Sequence, residues 1–297
     1  MRTEESDPES FSPQAKWRWP GTHTLRRLVR HPSAATGLLV LALLVLAAVT
    51  APLISPYDPL AQNMADFLSG PTTIHWFGTD QFGRDIFSRV LWGGRVTLQV
   101  GIIAIAIAGV VGVTLGLIAG YYGGWTDHLI MRAIDLMLAF PTMLLALGVV
   151  AILGSSLSNV MIAVGIAGVP QFIRVVRSAV LGAQSLPYVE AAHAVGCSDA
   201  YIIWRHILPN VFGPAIVLAT TGCAAAIITG AALSFLGLGV RPPSPEWGSM
   251  LSTGREYLRH APWMSVFPGL AIMLAVLSIN LIGDRLRDVL DPRLRVD

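Results

Sequence analysis

Residues Gly37–Ile54 read GLLVLALLVLAAVTAPLI, with no charged side chain among them. A bilayer core of about 30 Å is crossed by about 20 mostly apolar residues in an α-helix. The eleven Leu, Ile and Val of this run, at a few tenths of a kcal/mol each, favour insertion by about 3 to 7 kcal/mol. A cleaved signal peptide needs a short basic leader. Here some 36 residues containing acids come first, and Pro52 directly follows the weak cleavage pattern AAVTA. The stretch therefore reads as an uncleaved anchor helix.

Composition extends that reading to the whole chain of 297 residues. Only 13% are charged, 54% are hydrophobic and the mean hydropathy is +0.62. Soluble domains run near 25% charged, so this chain cannot cover a soluble surface of its size. The same numbers exclude disorder. A net charge of +2 is no polyelectrolyte and excludes nucleic acid as a partner. Two cysteines, Cys197 and Cys223, are too few for a disulfide framework or a cysteine-rich metal site, and read as small, partly buried thiols.

Further spans are expected at Val96–Ala119, Ile134–Leu153, Ser158–Val176, Val211–Leu238 and Pro262–Ile282, giving an all-α integral membrane protein of six transmembrane helices. The fourth is the weakest. Pro170 and Gln171 follow its short apolar run, and it spans only if the helix continues to Val176 with Arg174 and Arg177 snorkelling to the interface. Six spans put both termini on one side. Fourteen of the 20 basic residues fall in 1–36, 120–132, 170–209 and 284–297, and six in the opposite loops. Positive residues favour the cytoplasm, so both termini are expected inside.

The chain divides accordingly into a cytoplasmic tail (1–36), the anchor helix plus an external segment (37–95), a transmembrane domain (96–284) and a second cytoplasmic tail (285–297). In the external segment Phe82, Ile86 and Val90 recur at i,i+4, which would suit a helix lying flat on the membrane surface.

Ion-driven carriers keep ionisable groups at mid-membrane depth. The spans offer almost none, and Asp135, three residues after Arg132, reads as an interfacial i,i+3 pair. Nor can the chain hold ATP in a P-loop, because its one lysine, Lys16, sits in PQAKWRW without the glycines or the hydroxyl. No H-E-x-x-H, G-x-S-x-G or histidine cluster occurs. The chain is not expected to be an enzyme, no site residue is catalytic or metal-binding, and energy must come from a partner.

Inside, the large loop reads SLPYVEAAHAVGCSDAYIIWRHILPN, Ser185–Asn210. Pro187 suits a first helical turn, Glu190 favours the positive end of that helix and Gly196 breaks it. Ser198 is a fit N-cap for a second short helix, and Pro209 marks the boundary with the fifth span. Ala191, Ala192, Val195, Tyr201, Ile202 and Trp204 give the pair a face that could enter a partner's groove or lie on lipid.

EAA-x3-G followed by I-L-P resembles the EAA loop of ATP-binding-cassette importer permeases. In that family the loop docks into a cytoplasmic ATPase. The matching positions are Glu190, Ala191, Ala192, Gly196, Ile207, Leu208 and Pro209. The family's isoleucine usually stands two residues before Leu-Pro, where this chain has His206, and RHILPN resembles the peptide-type branch. Phe77–Gly101, Gly120–Pro141, Ser234–Leu251 and Asn280–Arg295 are similar to the dipeptide, oligopeptide and nickel permeases. The extra first helix and FLGLGVRPPSPEWG point to their C-type subunit.

The resemblance implies a type I importer transmembrane domain with an extra N-terminal helix, in a bacterial or archaeal cytoplasmic membrane. It implies a B-type permease as heterodimer partner, two cytoplasmic ATPase subunits that bind ATP and Mg, and an extracytoplasmic substrate-binding protein. The chain itself would hold no cofactor, and lipid would be its surrounding. The expected cargo is di- or oligopeptides, with nickel or another small solute as the alternative. A stand-alone channel or secondary carrier is the reading from a different class. Thr220, Thr221 and Ser234 are candidates to line the path, although helix packing explains such residues as well.

Overall fold

The computed structural model describes residues 31–240 and 242–290, and everything below concerns these. The tail sequence up to residue 30, with Lys16, and the last seven residues lie outside them. The first long helix, α1 (Pro32–Ile54), contains the anchor and begins five residues earlier than its apolar run, with Pro32 in the first turn.

A loop then leads to α2 (Ile86–Tyr122), whose 37 residues form the longest helix. It starts ten residues before the expected span, and the flat surface helix is absent. Ile86 is buried at the start of α2, and Phe82 lies in the preceding loop. The helix starts there because Asp85 caps it, accepting from Ser88 N–H at 2.7 Å. The loop's charges are neutralised locally. Asp80 Oδ1 accepts from the backbone N–H groups of Phe82 and Arg84, and its Oδ2 accepts from Arg84 Nε at 2.7 Å. Arg89 of α2 stands 3.6 Å away. Charge in this stretch marks a folded cap, which is why a hydropathy reading places the helix start too late.

Next come α3 (Gly124–Leu138) and α4 (Thr142–Leu153), joined through Pro141 at a 94° bend. The expected third span, Ile134–Leu153, is therefore broken. Proline at 141 cannot continue the hydrogen-bond ladder and disfavours a helical residue before it. At about 1.5 Å per residue neither half crosses the bilayer alone. Five helices are long and apolar enough to span, and the bent pair makes six.

Helix α5 (Leu157–Gln184) continues unbroken past Pro170 to Gln184, as the fourth span required. Its two arginines are not left to snorkel. Arg177 makes a two-pronged pair with Asp127 of α3, at 2.5 and 2.6 Å, and Arg174 meets Asp135 at 3.2 Å. The pairing of Asp135 with Arg132 does not form, because the bend turns α3 across α5 and brings a closer partner.

After the loop helices described below, α8 (Leu208–Phe235) and α10 (Trp263–Leu290) complete the bundle, with the short α9 (Trp247–Gly254) between them. No strand occurs among the described residues.

Small residues set the packing, as expected where lipid tails remove the hydrophobic drive between helices. A Cβ on Gly112, Gly116 or Gly120 of α2 would come within 2.2, 2.7 and 2.7 Å of Phe172, Val176 and Val180 of α5. The two backbones thus touch along three turns. Gly101 against Ile227 and Gly222 against Ile105 seat α8 on α2 in the same way.

The segment around α9 is lodged inside the bundle end. Trp247 fills the space above Gly93 and Gly94 and donates to Val90 O at 2.9 Å. Glu246, only 2% exposed, caps α9 by accepting from Gly248 and Ser249 N–H, both at 2.8 Å. Thr97 Oγ1 of α2 donates to it at 3.2 Å.

Candidate functional site

The loop between α5 and α8 holds α6 (Pro187–Ala194) and α7 (Asp199–Ile202). Pro187 opens α6 as its first residue, Leu186 stands at the cap and Glu190 lies in the first turn. At the other end Gly196 adopts φ +82°, its N–H reaching His193 O at 3.0 Å while Cys197 N–H reaches Ala192 O at 3.1 Å. This pair of bonds around a left-handed glycine is a Schellman motif, which satisfies carbonyls the helix end would leave bare. Nothing lies within 4 Å of a Cβ built on Gly196, so conformation and not space selects glycine here. Ser198 then caps α7, its hydroxyl accepting from Tyr201 N–H at 3.4 Å.

Pro209 does not end the helix. From Asp199 the chain stays helical to Phe235, through one wide turn at Ile203–Ile207 in which Leu208 N–H reaches back to Ile203 O. A π-type turn absorbs the carbonyl that a proline ring would otherwise strike, so the boundary expected at Pro209 becomes a rigid joint. Asn210 Nδ2 secures it, donating to His206 O at 2.6 Å and to the Tyr188 hydroxyl of α6 at 2.8 Å.

The one face expected from sequence, for a partner's groove or for lipid, is in fact split in two. Ala192 and Ile202, with Val189, Ile207 and Leu208, turn inward, and all five are buried. Val189, Ala192, Ile202 and Ile207 pack in one cluster with Val176 and Val180 of α5 and Val211 of α8. Burying Val189 and Ile202 stabilises the docked loop by about 2 kcal/mol each. Glu190, Ala191, Val195, Tyr201 and Trp204 face outward, Val195 at 78% and Trp204 at 72% exposure. Of the seven motif residues, then, Glu190, Ala191 and Gly196 lie exposed, Ala192, Ile207 and Leu208 are buried, and Pro209 is intermediate.

Polar moorings not legible in the sequence tie this unit to the bundle. Tyr121, near the end of α2, donates from its hydroxyl to Asp199 at 2.8 Å, and Gln184 Nε2 donates to Tyr121 O at 2.9 Å. His193 stacks on the Tyr121 ring at 6.2 Å. These partners lie 63 to 78 residues apart, beyond any periodicity. Thr220 and Thr221 spend their hydroxyls on carbonyls of their own helix, and Ser234 is 5% exposed beside Glu246. No group of three metal-ligating side chains occurs among the described residues.

This architecture defines a multi-pass helical membrane protein whose loop between α5 and α8 is a helical unit joined rigidly to a spanning helix. Its sequence relatives say which class it is. Residues 112–296 match the family described as binding-protein-dependent transport system inner membrane component, and residues 20–71 match the N-terminal TM domain of oligopeptide transport permease C. The chain is 47% identical to the dipeptide transport system permease protein DppC of Alkalihalophilus pseudofirmus, over 99% of this chain and 100% of that protein. It is also 47% identical to the glutathione transport system permease protein GsiD of Pectobacterium atrosepticum, over 94% and 93% of the two chains. A putative peptide transport system permease of Brucella abortus is 45% identical over 99% of each.

Among solved structures, the inward-facing MetNI methionine ABC transporter superposes with a TM-score of 0.54 at 18% identity, covering 68% of this chain and 96% of that one. An amino acid ABC transporter gives 0.52 at 14%, covering 68% and 94%. These two show the fold.

The chain belongs to the binding-protein-dependent transport system inner membrane component family. It is a C-type permease subunit of an ABC importer, embedded in the inner membrane, with ATP hydrolysis on a separate subunit. A stand-alone channel or secondary carrier is thereby set aside.

Proposed function

We propose that this permease imports peptides and that Glu190–Pro209 is the element its ATPase subunits grip. The observation that carries the coupling role is the outward face of α6 and α7, with α7 continuing as helix through the π turn into α8. Glu190, Ala191, Val195, Tyr201 and Trp204 offer a mixed apolar and acidic surface suited to a groove. A pull on that surface moves α8 as a lever, because the π turn leaves no flexible joint between α7 and α8 and Asn210 ties α6 to α8 through Tyr188.

In this reading the working unit is a heterodimer with a B-type permease, two ATPases and an external binding protein, with both termini of this chain in the cytoplasm. ATP binding closes the ATPases and draws the loop, turning the helices from inward- to outward-facing so that the binding protein releases its ligand into the path. Hydrolysis resets them. The coupling energy resides in contacts that differ between open and closed ATPases. Relatives named for dipeptide, glutathione and peptide transport support peptides as the cargo.

Two measurements test this. Glu190→Lys should cost co-purification of the ATPase subunits while leaving membrane insertion intact; undiminished co-purification would overturn the coupling role. The co-expressed binding protein should carry a short peptide, and a metal chelate as its sole ligand would overturn the cargo.

A further inference from the structure

On the face where α1 ends, a cleft of about 760 Å³ opens between the last turn of α1, the loop that follows, α2 and the Ser244–Pro245 segment. Pro52, Tyr57, Asp58, Trp92, Arg95 and Gln99 supply its chemistry. Arg95 is half-buried, with its guanidinium 5.2 Å from the Trp92 ring centroid. Among the described residues it has no carboxylate partner, whereas Arg84 and Arg89 share Asp80, Arg174 has Asp135 and Arg177 has Asp127. The Trp92 indole N–H is buried and has no acceptor among the described residues. Asp58 sits exposed on the rim, its Oδ1 accepting from Leu60 N–H at 2.8 Å. The cleft thus presents a cation and an anion within one concavity.

Two apolar stripes continue the faces of α1 and α2 that carry Pro52 and Gln99. On α2, Ile102 and Ile103 follow Gln99 at i+3 and i+4, at 59% and 40% exposure. On α1, Val49 and Val45 precede Pro52 by one and two turns, at 66% and 42% exposure. Aromatic and arginine side chains at the end of a span are the usual signature of headgroup depth.

We propose that the cleft seats a zwitterionic aminophospholipid of the phosphatidylethanolamine type. Arg95 holds the phosphate through its guanidinium fork and Asp58 takes the ammonium. The acyl chains lie along Val45 and Val49 on one side and Ile102 and Ile103 on the other. A soluble peptide carries the same two charges but has nothing to cover those stripes, so the lipid fits better. The inference concerns a site remote from the coupling loop and stands whether or not the cargo is a peptide.

The test uses the assembled transporter in nanodiscs with a phosphatidylethanolamine analogue that carries a photoreactive acyl chain. Adducts are expected within residues 45–60 and 92–106, competed by unlabelled phosphatidylethanolamine. Arg95→Gln should lower their yield several-fold. Asp58→Asn, on the exposed rim and compatible with folding, should abolish the preference for phosphatidylethanolamine over phosphatidylcholine as competitor. Adducts spread over the whole apolar surface, or equal competition by both lipids in the wild type, would overturn the proposal. Displacement of the label by a soluble dipeptide and not by lipid would also overturn it, and would assign the cleft to the solute.

Discussion

The hydroxyl of Tyr121, near the end of α2, donates to the carboxylate of Asp199, the first residue of α7, at 2.8 Å. It links the helix that packs most closely on α5 with the segment that continues into α8. Tyr121→Phe keeps the ring and its stacking on His193 and removes only this bond. At an exposed position the loss is about 0.5 to 1 kcal/mol. The expected result is a normally folded transporter whose basal ATPase activity rises relative to substrate uptake. An unchanged ratio of uptake to hydrolysis would show that the mooring does not contribute to coupling.

Gly196 offers a cleaner perturbation, since a side chain there meets no neighbour and pays only for φ +82°. Gly196→Ala or Gly196→Val should destabilise the Schellman turn by about 1 to 2 kcal/mol. Gly196→Asn should recover much of the uptake, because asparagine tolerates the left-handed region. If valine and asparagine behave alike, bulk at the partner contact and not backbone conformation is the cause. Membrane insertion is expected to be normal in all three.

Along the α2–α5 contact the constraint is steric. Gly112→Ala puts a Cβ 2.2 Å from Phe172 Cβ and should cost about 1 to 3 kcal/mol through overpacking. Gly148→Ala, in α4 with nothing within 4 Å, should leave the thermal midpoint of the purified complex level or slightly higher. Equal midpoints for the two variants would contradict the close approach of α2 and α5.

Glu246 provides a pH test. Burial pushes its carboxyl above the usual carboxylate range, against the pull of the Gly248 and Ser249 N–H groups and the Ser234 and Thr97 hydroxyls. With a raised folded-state pKa the native protein holds the proton more tightly than the unfolded chain. Stability from this group is therefore present below the unfolded value and is lost as pH rises through the folded one. Glu246→Gln should flatten the fall in thermal midpoint as pH rises above the ordinary carboxylate pKa. Glu246→Ala should cost about 1 to 3 kcal/mol at any pH by orphaning the two N–H groups at the start of α9. A wild-type slope retained in Glu246→Gln would show that another group titrates.

How far the sequence reaches differs along the chain. Hydropathy found α1, α5, α8 and α10, since a long apolar run is a local property. It began α2 ten residues late because Arg84, Asp85, Arg89 and Arg95 look like exposed loop, although the first three are buried among partners supplied by the fold. Pro141 was visible, yet only packing across α5 decides that it produces a 94° break. In the loop, Pro187, Gly196 and Ser198 announced their cap and turn roles, which depend on a few neighbouring residues.

The sequence by itself determined that this protein lives in a membrane and that it lacks a nucleotide-binding lysine motif, and it showed that Glu190–Pro209 resembles an EAA loop. The first two follow from composition and spacing, the third from likeness to a family. Tertiary structure alone decided which residues of that element face out, that Pro209 is a rigid joint, and that Arg177 and Arg174 are paired with Asp127 and Asp135. Helices of eight and four residues are too short for periodicity to define a face, and ion pairs across 39 or 50 residues depend on how helices cross.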